Sequence, residues 1–156
     1  MLNPSENIRV QKLLEHGSCF VCGRSNPQSI GVEWQLLPDG HIESTFIFNS
    51  HQQGPPGFVH GGASAAVLDE AMGLSIWNCG YRAVTVNLNI NYHKPVPLDE
   101  PVQIQANMNS KNNRRLFAQG KILLPDGTIA VSATGIYVES PGFLEKNFDP
   151  FLEVHQ

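Results

Sequence analysis

The stretch GPPGFVHGGASAAVLDEAMGLSIWNC, residues 54–79, decides how the rest of this 156-residue chain is read. Pro55 and Pro56 stiffen a loop that leads into His60-Gly61-Gly62, where a helix is expected to start. From Ala63 to Cys79 the charged residues are Asp69 and Glu70 alone, side by side among Ala, Val, Leu, Met, Ile and Trp. A helix that is apolar on every face belongs inside a core. Carboxylates are rarely buried without a partner, because stripping water from the charge is costly. One of these two acids is therefore expected to serve a site.

The length suits one domain, residues 1–156, with a core that needs no staples. Apolar residues make up 41% and charged residues 15%, so the surface is light on charge and a homo-oligomer is the economical expectation. A net charge of -4 argues against nucleic acid or an anionic membrane as main partner. No apolar run approaches the roughly 18 residues of a spanning helix. The start, MLNPSENIRVQKLL, lacks the order of a signal peptide. Three cysteines do not make a secreted disulfide framework, and a cytoplasmic protein is expected.

Along the chain, residues 4–15 have the pattern of a short helix, with Ser5 as cap and Ile8, Leu13 and Leu14 as a thin apolar face. Next comes His16-Gly-Ser-Cys19-Phe-Val-Cys22-Gly23. Cys-x-x-Cys-Gly is one half of a zinc ribbon, and His16 could be a third ligand, but the chain holds no second Cys-x-x-Cys. No thioredoxin-like strand and helix surround the pair. A Gly-closed structural turn without metal is the expectation. Strands follow over 31–37 and 41–49, joined at Pro38-Asp39-Gly40, a hairpin turn with a preset φ and then a residue free to take φ > 0. LLPDG recurs at 123–127 and marks a second hairpin. After the helix, Val84 to Tyr92 alternates strictly, with Val84, Val86, Leu88, Ile90 and Tyr92 on one face and Thr85, Asn87, Asn89 and Asn91 on the other. Further strands are expected over 102–108, 116–124 and 128–138, and a tail over 141–156. The order predicts an α+β domain, an antiparallel sheet of about six strands wrapped around one long central helix.

His60-Gly61-Gly62, an Asp nine positions after that His, and the later V-x-L-x-I-x-Y-x-x-P-V-P strand together resemble the hotdog-fold acyl-CoA thioesterases. The resemblance is to the branch with the phenylacetic-acid-pathway type and the human thioesterase-superfamily members, and it covers roughly residues 19–138. It implies a homodimer, often paired again into a homotetramer, that hydrolyses an acyl-CoA thioester. CoA enters as part of the substrate, and no separate cofactor is implied. Asp69 would be the nucleophile or general base, and Gly61 would give its backbone N–H to the thioester carbonyl. Thr85 falls where several members have a Ser or Thr that positions substrate or water, and His60 would shape the helix start and touch substrate. Gly62 joins the candidate substrate contacts. Six residues before the motif His, several characterised members carry an Asn that orients the water or substrate. Here that position is Gly54, and His51, Gln52 or Gln53 are the polar substitutes nearby.

The chemistry can also be argued from the residues. A thioester carbonyl gathers negative charge on oxygen when attacked, and a helix N-terminus offers free N–H groups and partial positive charge. Gly61 lets that carbonyl approach the main chain. A carboxylate opposite supplies the base or nucleophile. Eight residues separate Gly61 from Asp69, about 12 Å along a helix axis. One carbonyl carbon cannot meet both on one helix. The site is therefore expected across a two-fold dimer, Gly61 from one chain and Asp69 from the other. Glu70 lies about 100° round the helix from Asp69 and is expected to make a structural contact. Lys111, Arg114 and Arg115 are candidates for CoA phosphates, and Phe58, Trp77 and Phe117 for the end of an acyl tunnel. Two other readings compete: a non-catalytic acyl-CoA-binding module, and a hotdog enoyl hydratase or dehydratase. The hydratase reading lacks a second acid–base residue at a compatible helix position.

Overall fold

The computed structural model describes residues 10–13 and 16–142. Its strands are β1 (Gln11–Lys12), β2 (Gln35–Leu36), β3 (Ile42–Ile47), β4 (Ala83–Tyr92), β5 (Pro101–Asn112), β6 (Arg115–Leu123) and β7 (Ile129–Glu139). One long helix, α1 (Gly61–Asn78), separates β3 from β4, and a short 3-10 turn over Ser50–Gln52 precedes it. The strands form a single sheet in the order β1-β2-β3-β5-β6-β7-β4, antiparallel at every step. The expected α+β hotdog architecture is present, with seven strands among the described residues in place of about six.

Local chemistry explains where the elements begin and end. The His60 side chain accepts the Gly62 N–H and caps the start of α1, and Gly80 closes its end at φ 89°. Both LLPDG segments are hairpin turns, with Gly40 at φ 85° and Gly127 at φ 81°. The β5–β6 hairpin turns at Asn113, also left-handed at φ 53°. Val67, Leu68, Ala71, Met72 and Ile76 of α1 are buried against Ile104, Ala106, Leu116, Ala118 and Ile122. Each large aliphatic side chain buried this way contributes about 1.5–3 kcal/mol. Gly120 sets the approach of helix to sheet, because a Cβ there would stand 3.1 Å from Leu68 Cδ2.

Three expectations are corrected. The strand expected over 31–37 shrinks to Gln35–Leu36, because the N–H groups of Ile30, Gly31 and Val32 bond back to Phe20 and Val21 instead of to a neighbouring strand. Of the helix expected over 4–15, residues 4–9, 14 and 15 lie outside the described residues. Its described part is extended, since Gln11 and Lys12 pair with β2. The tail over 141–156 lies outside them from residue 143 onward.

The third correction concerns β4. Its register with β7 shifts between Thr85 and Asn87, which makes Val86 an extra residue. Such a bulge resets the alternation of side chains by one position. Thr85 therefore shares the helix-facing side with Leu88 and Ile90: its Oγ1 reaches Asp69, while those two pack on the core. Val86 turns outward and is 56% exposed. The single buried apolar face expected from strict alternation is not what forms.

Candidate active site

Asp69 sits midway along α1, on the wall of a cleft of about 760 Å³ that is also lined by His16, Cys19, Glu70, Trp77 and Thr85. Its Oδ1 accepts two hydrogen bonds, from Thr85 Oγ1 at 2.9 Å and from the Tyr137 hydroxyl at 2.9 Å. Oδ2 has no partner among the described residues. Two hydroxyl donors on one oxygen fix the orientation of this carboxylate. Burial pushes the Tyr137 hydroxyl well above its ordinary range, and the Asp69 charge adds to that, so Tyr137 stays a donor.

Tyr137 is the residue that sequence reasoning missed. Its ring lies over Gly135, where an added Cβ would come within 2.6 Å of Tyr137 Cε2. A glycine two positions before a tyrosine on one strand face was the available signal. Tyr92 was expected only as one of a buried apolar row. Its hydroxyl donates to the Gly61 carbonyl at 2.7 Å and ties β4 to the start of α1.

The helix start holds most of the remaining candidates. The Gly62 N–H is taken by His60 Nδ1 at 2.9 Å. No acceptor among the described residues takes the Gly61 N–H, so that donor is open. Gly54 packs against the His60 backbone, and a Cβ there would stand 2.8 Å from His60 Cα, so no side chain fits. His60, Gly62, His51 and Gln53 share a polar cleft of about 560 Å³ with Asn49 and Gln52. Gln53 is partly committed, its Oε1 accepting the Gly57 N–H at 3.0 Å. Gly61 and Phe58 line a third cleft, with Tyr92 and Pro95.

Within one chain the two halves stay apart. Helix α1 runs unbroken from Gly61 to Asn78, so Gly61 and Asp69 keep their separation of about 12 Å. Arg114 and Arg115 flank the β5–β6 turn away from both halves. Arg114 Nη2 donates to the Glu139 carbonyl at 2.9 Å, and Lys111 pairs with the Glu139 carboxylate at 2.8 Å. Trp77 lines the Asp69 cleft, as expected of a tunnel residue, whereas Phe117 alternates away from buried Leu116 and Ala118 on β6.

Glu70 faces elsewhere. Its Oε1 lies 3.0 Å from His16 Nδ1, 3.2 Å from Cys22 Sγ and 3.6 Å from Cys19 Sγ. The expected Gly-closed turn is present, because a Cβ on Gly23 would collide with the Cys19 nitrogen and the Gly17 carbonyl. Burial works against a positive charge on His16, but hydrogen bonds with Cys19 and Glu70 outweigh it and raise its pKa to about 9. The hydrogen bond from Cys22, ahead of those from His16 and the backbone, pulls the Cys19 thiol far below its ordinary range, and the same contact raises Cys22. Among the described residues this is the set of donors able to hold a metal ion.

The thioesterase superfamily profile matches residues 56–131. Acyl-coenzyme A thioesterase THEM4 of Rattus norvegicus is 33% identical over 120 residues, which cover 74% of this chain and 52% of that protein. The chain thus spans about half the length of the curated relatives it matches. The crystal structure of protein RHA08564, a thioesterase superfamily protein, gives a TM-score of 0.76 at 34% identity, over 79% of this chain and 61% of that one. A hypothetical thioesterase from Streptococcus pneumoniae TIGR4, solved with coenzyme A, gives 0.62 at 24% identity over 65% of this chain and 80% of that one, a likeness of fold. Sequence match and fold converge on the same helix and strands, and residues 56–131, which carry both, match the thioesterase superfamily.

Proposed function

We propose that this chain hydrolyses an acyl-CoA thioester at a site completed by a second copy of itself. The observation that carries this reading is the division of labour along α1. Asp69 is held by Thr85 and Tyr137 with Oδ2 open, and the Gly61 N–H is open at the helix start, too far away for both to act on one carbonyl. Two antiparallel copies of α1 bring the Gly61 of one protomer opposite the Asp69 of the other. The outermost strand β4 supports such pairing: its far edge has no partner strand among the described residues, and Val86 and Tyr92 on it are each 56% exposed.

In this arrangement Asp69 either attacks the thioester carbonyl itself or takes a proton from the water that does. The developing oxyanion is stabilised by the Gly61 N–H at the positive end of the helix. Collapse breaks the C–S bond, and CoA leaves as thiolate and is protonated. By the general-base route the acyl group departs directly as the free acid, and by the nucleophilic route it stays on Asp69 as a mixed anhydride until a water hydrolyses it. Trp77, Leu74 and Val84 give the cleft an apolar wall for the acyl or pantetheine chain. Arg115, whose side chain has no partner among the described residues, is the more available of the two arginines for a CoA phosphate.

A screen over short, long and aromatic acyl-CoAs tests this, read as thiol release beside Asp69→Asn. Turnover lost in the mutant with the oligomer unchanged is the expected result. Full activity in Asp69→Asn would sink the mechanism. The crowding at Gly54, which excludes a water-orienting side chain, favours one second reading, an acyl-CoA-binding module. Tight binding without turnover across the panel would establish it.

A further inference from the structure

We propose that His16, Cys19, Cys22 and Glu70 form a zinc site that pins the turn around Cys19 onto the central helix α1. This stands apart from the thioesterase reading and does not depend on it.

The fourth ligand is what the sequence withheld. Cys19-x-x-Cys22-Gly23 and His16 offer three donors on one short loop, and Glu70 arrives from α1, 48 residues after Cys22. The four donor atoms, His16 Nδ1, both Sγ and Glu70 Oε1, all lie within 4.8 Å of one another. A tetrahedral zinc with bonds of about 2.0–2.3 Å holds its ligand atoms about 3.3–3.8 Å apart, so modest shifts bring all four into range.

The donor chemistry selects the ion. Two sulfurs with an imidazole and one carboxylate suit zinc, whereas magnesium and calcium take oxygen ligands. The loop is also built for thiolate. The Val21 N–H points at Cys19 Sγ at 3.3 Å, and Gly23 permits the tight closure. Trp77 packs against the His16 ring, with centroids 5.4 Å apart, and holds it in place. Cys22 is buried, and His16, Cys19 and Glu70 are half-buried. Among the described residues no Lys or Arg reaches Glu70, so its only cationic partner is His16. Two sulfurs, an imidazole and a carboxylate converge there, and a divalent cation binds such a set as the thiol protons leave.

Four protein donors close a tetrahedron and leave no position for water or substrate, so the ion is structural. Its consequence is nevertheless local to the site. His16, Cys19 and Glu70 line the same cleft as Asp69 and Thr85. Clamping the turn onto α1 fixes one wall of that cleft, next to the acid.

The test uses the full chain, purified reduced and under nitrogen, given zinc and dialysed, with metal content read by elemental analysis. About one zinc per chain is expected. Cobalt substitution should give the intense visible bands of a tetrahedral ion with thiolate-to-metal charge transfer. Cys22→Ser and Glu70→Gln should lose the bound zinc on dialysis, and Asp69→Asn should keep it. A chain that retains no zinc would overturn the proposal. So would a Cys19–Cys22 disulfide in the anaerobic protein, or zinc held at full stoichiometry by Cys22→Ser. Where a cysteine variant fails to fold, the cobalt spectrum of the unaltered chain decides, and an octahedral spectrum without charge transfer counts against the site.

Discussion

Asp69 and Glu70 are consecutive residues on one apolar helix, yet they keep different company. Asp69 receives hydroxyl donors from two strands, Thr85 of β4 and Tyr137 of β7. Glu70, about 100° round the helix, meets an imidazole and two sulfurs from the loop between β1 and β2. Hydroxyls aim a carboxylate and leave it reactive. Soft donors around a carboxylate instead describe a cation's coordination shell. The contrast explains how an apolar helix carries two acids at once: each has its own means of bearing the cost of partial burial.

Four experiments separate the two acids. The largest effect is expected from Asp69→Asn, which removes the base or nucleophile and should lower kcat by about 10²–10⁴-fold in a thiol-release assay, while zinc content and Tm stay unchanged. A loss of zinc in that variant would mean that the acids are not independent. Second, Cys22→Ser cuts the link between loop and helix. That link resembles a disulfide in joining distant positions, worth about 2–4 kcal/mol, so a thermal melt should show Tm falling by about 4–16 °C. A chelator should produce the same fall in the unaltered chain and none in the variant.

Third, Tyr137→Phe deletes one donor to Asp69 and leaves the ring that covers Gly135. About 1.4 kcal/mol of lost positioning corresponds to roughly tenfold in kcat with KM little changed. An unaltered kcat would show that Tyr137 serves packing alone. The smallest effect belongs to Thr85→Val, which keeps the β-branched shape on β4 and loses one hydroxyl. Steady-state kinetics should report a drop of about three- to tenfold, and restoration by Thr85→Ser would assign it to the hydroxyl rather than to the bulge.

Much of the architecture was legible because it follows from local rules. The apolar run from Ala63 to Cys79 calls for burial, and PDG turns force chain reversals at both sites where they occur. The strands expected over 102–108 and 128–138 both form, as β5 and β7. Strand β4 was legible as a strand but not in its facing. The bulge at Val86 is a property of pairing with β7, and pairing is invisible in a single row of residues. That is why Thr85 read as one of a polar outer row, when it bonds to the central acid.

The sequence alone determined the hotdog-type α+β arrangement, the helix with its two acids, and the distance along α1 that keeps Gly61 and Asp69 apart. Those depend on composition, period and helical rise, all of which act within a short window of chain. Only the tertiary structure decided which groups meet each acid. Tyr137 reaches Asp69 across 68 residues, and Cys22 reaches Glu70 across 48. Hydrogen bonding and coordination act over a few ångströms of space, so their partners are set by the folded sheet and loop and not by separation along the chain.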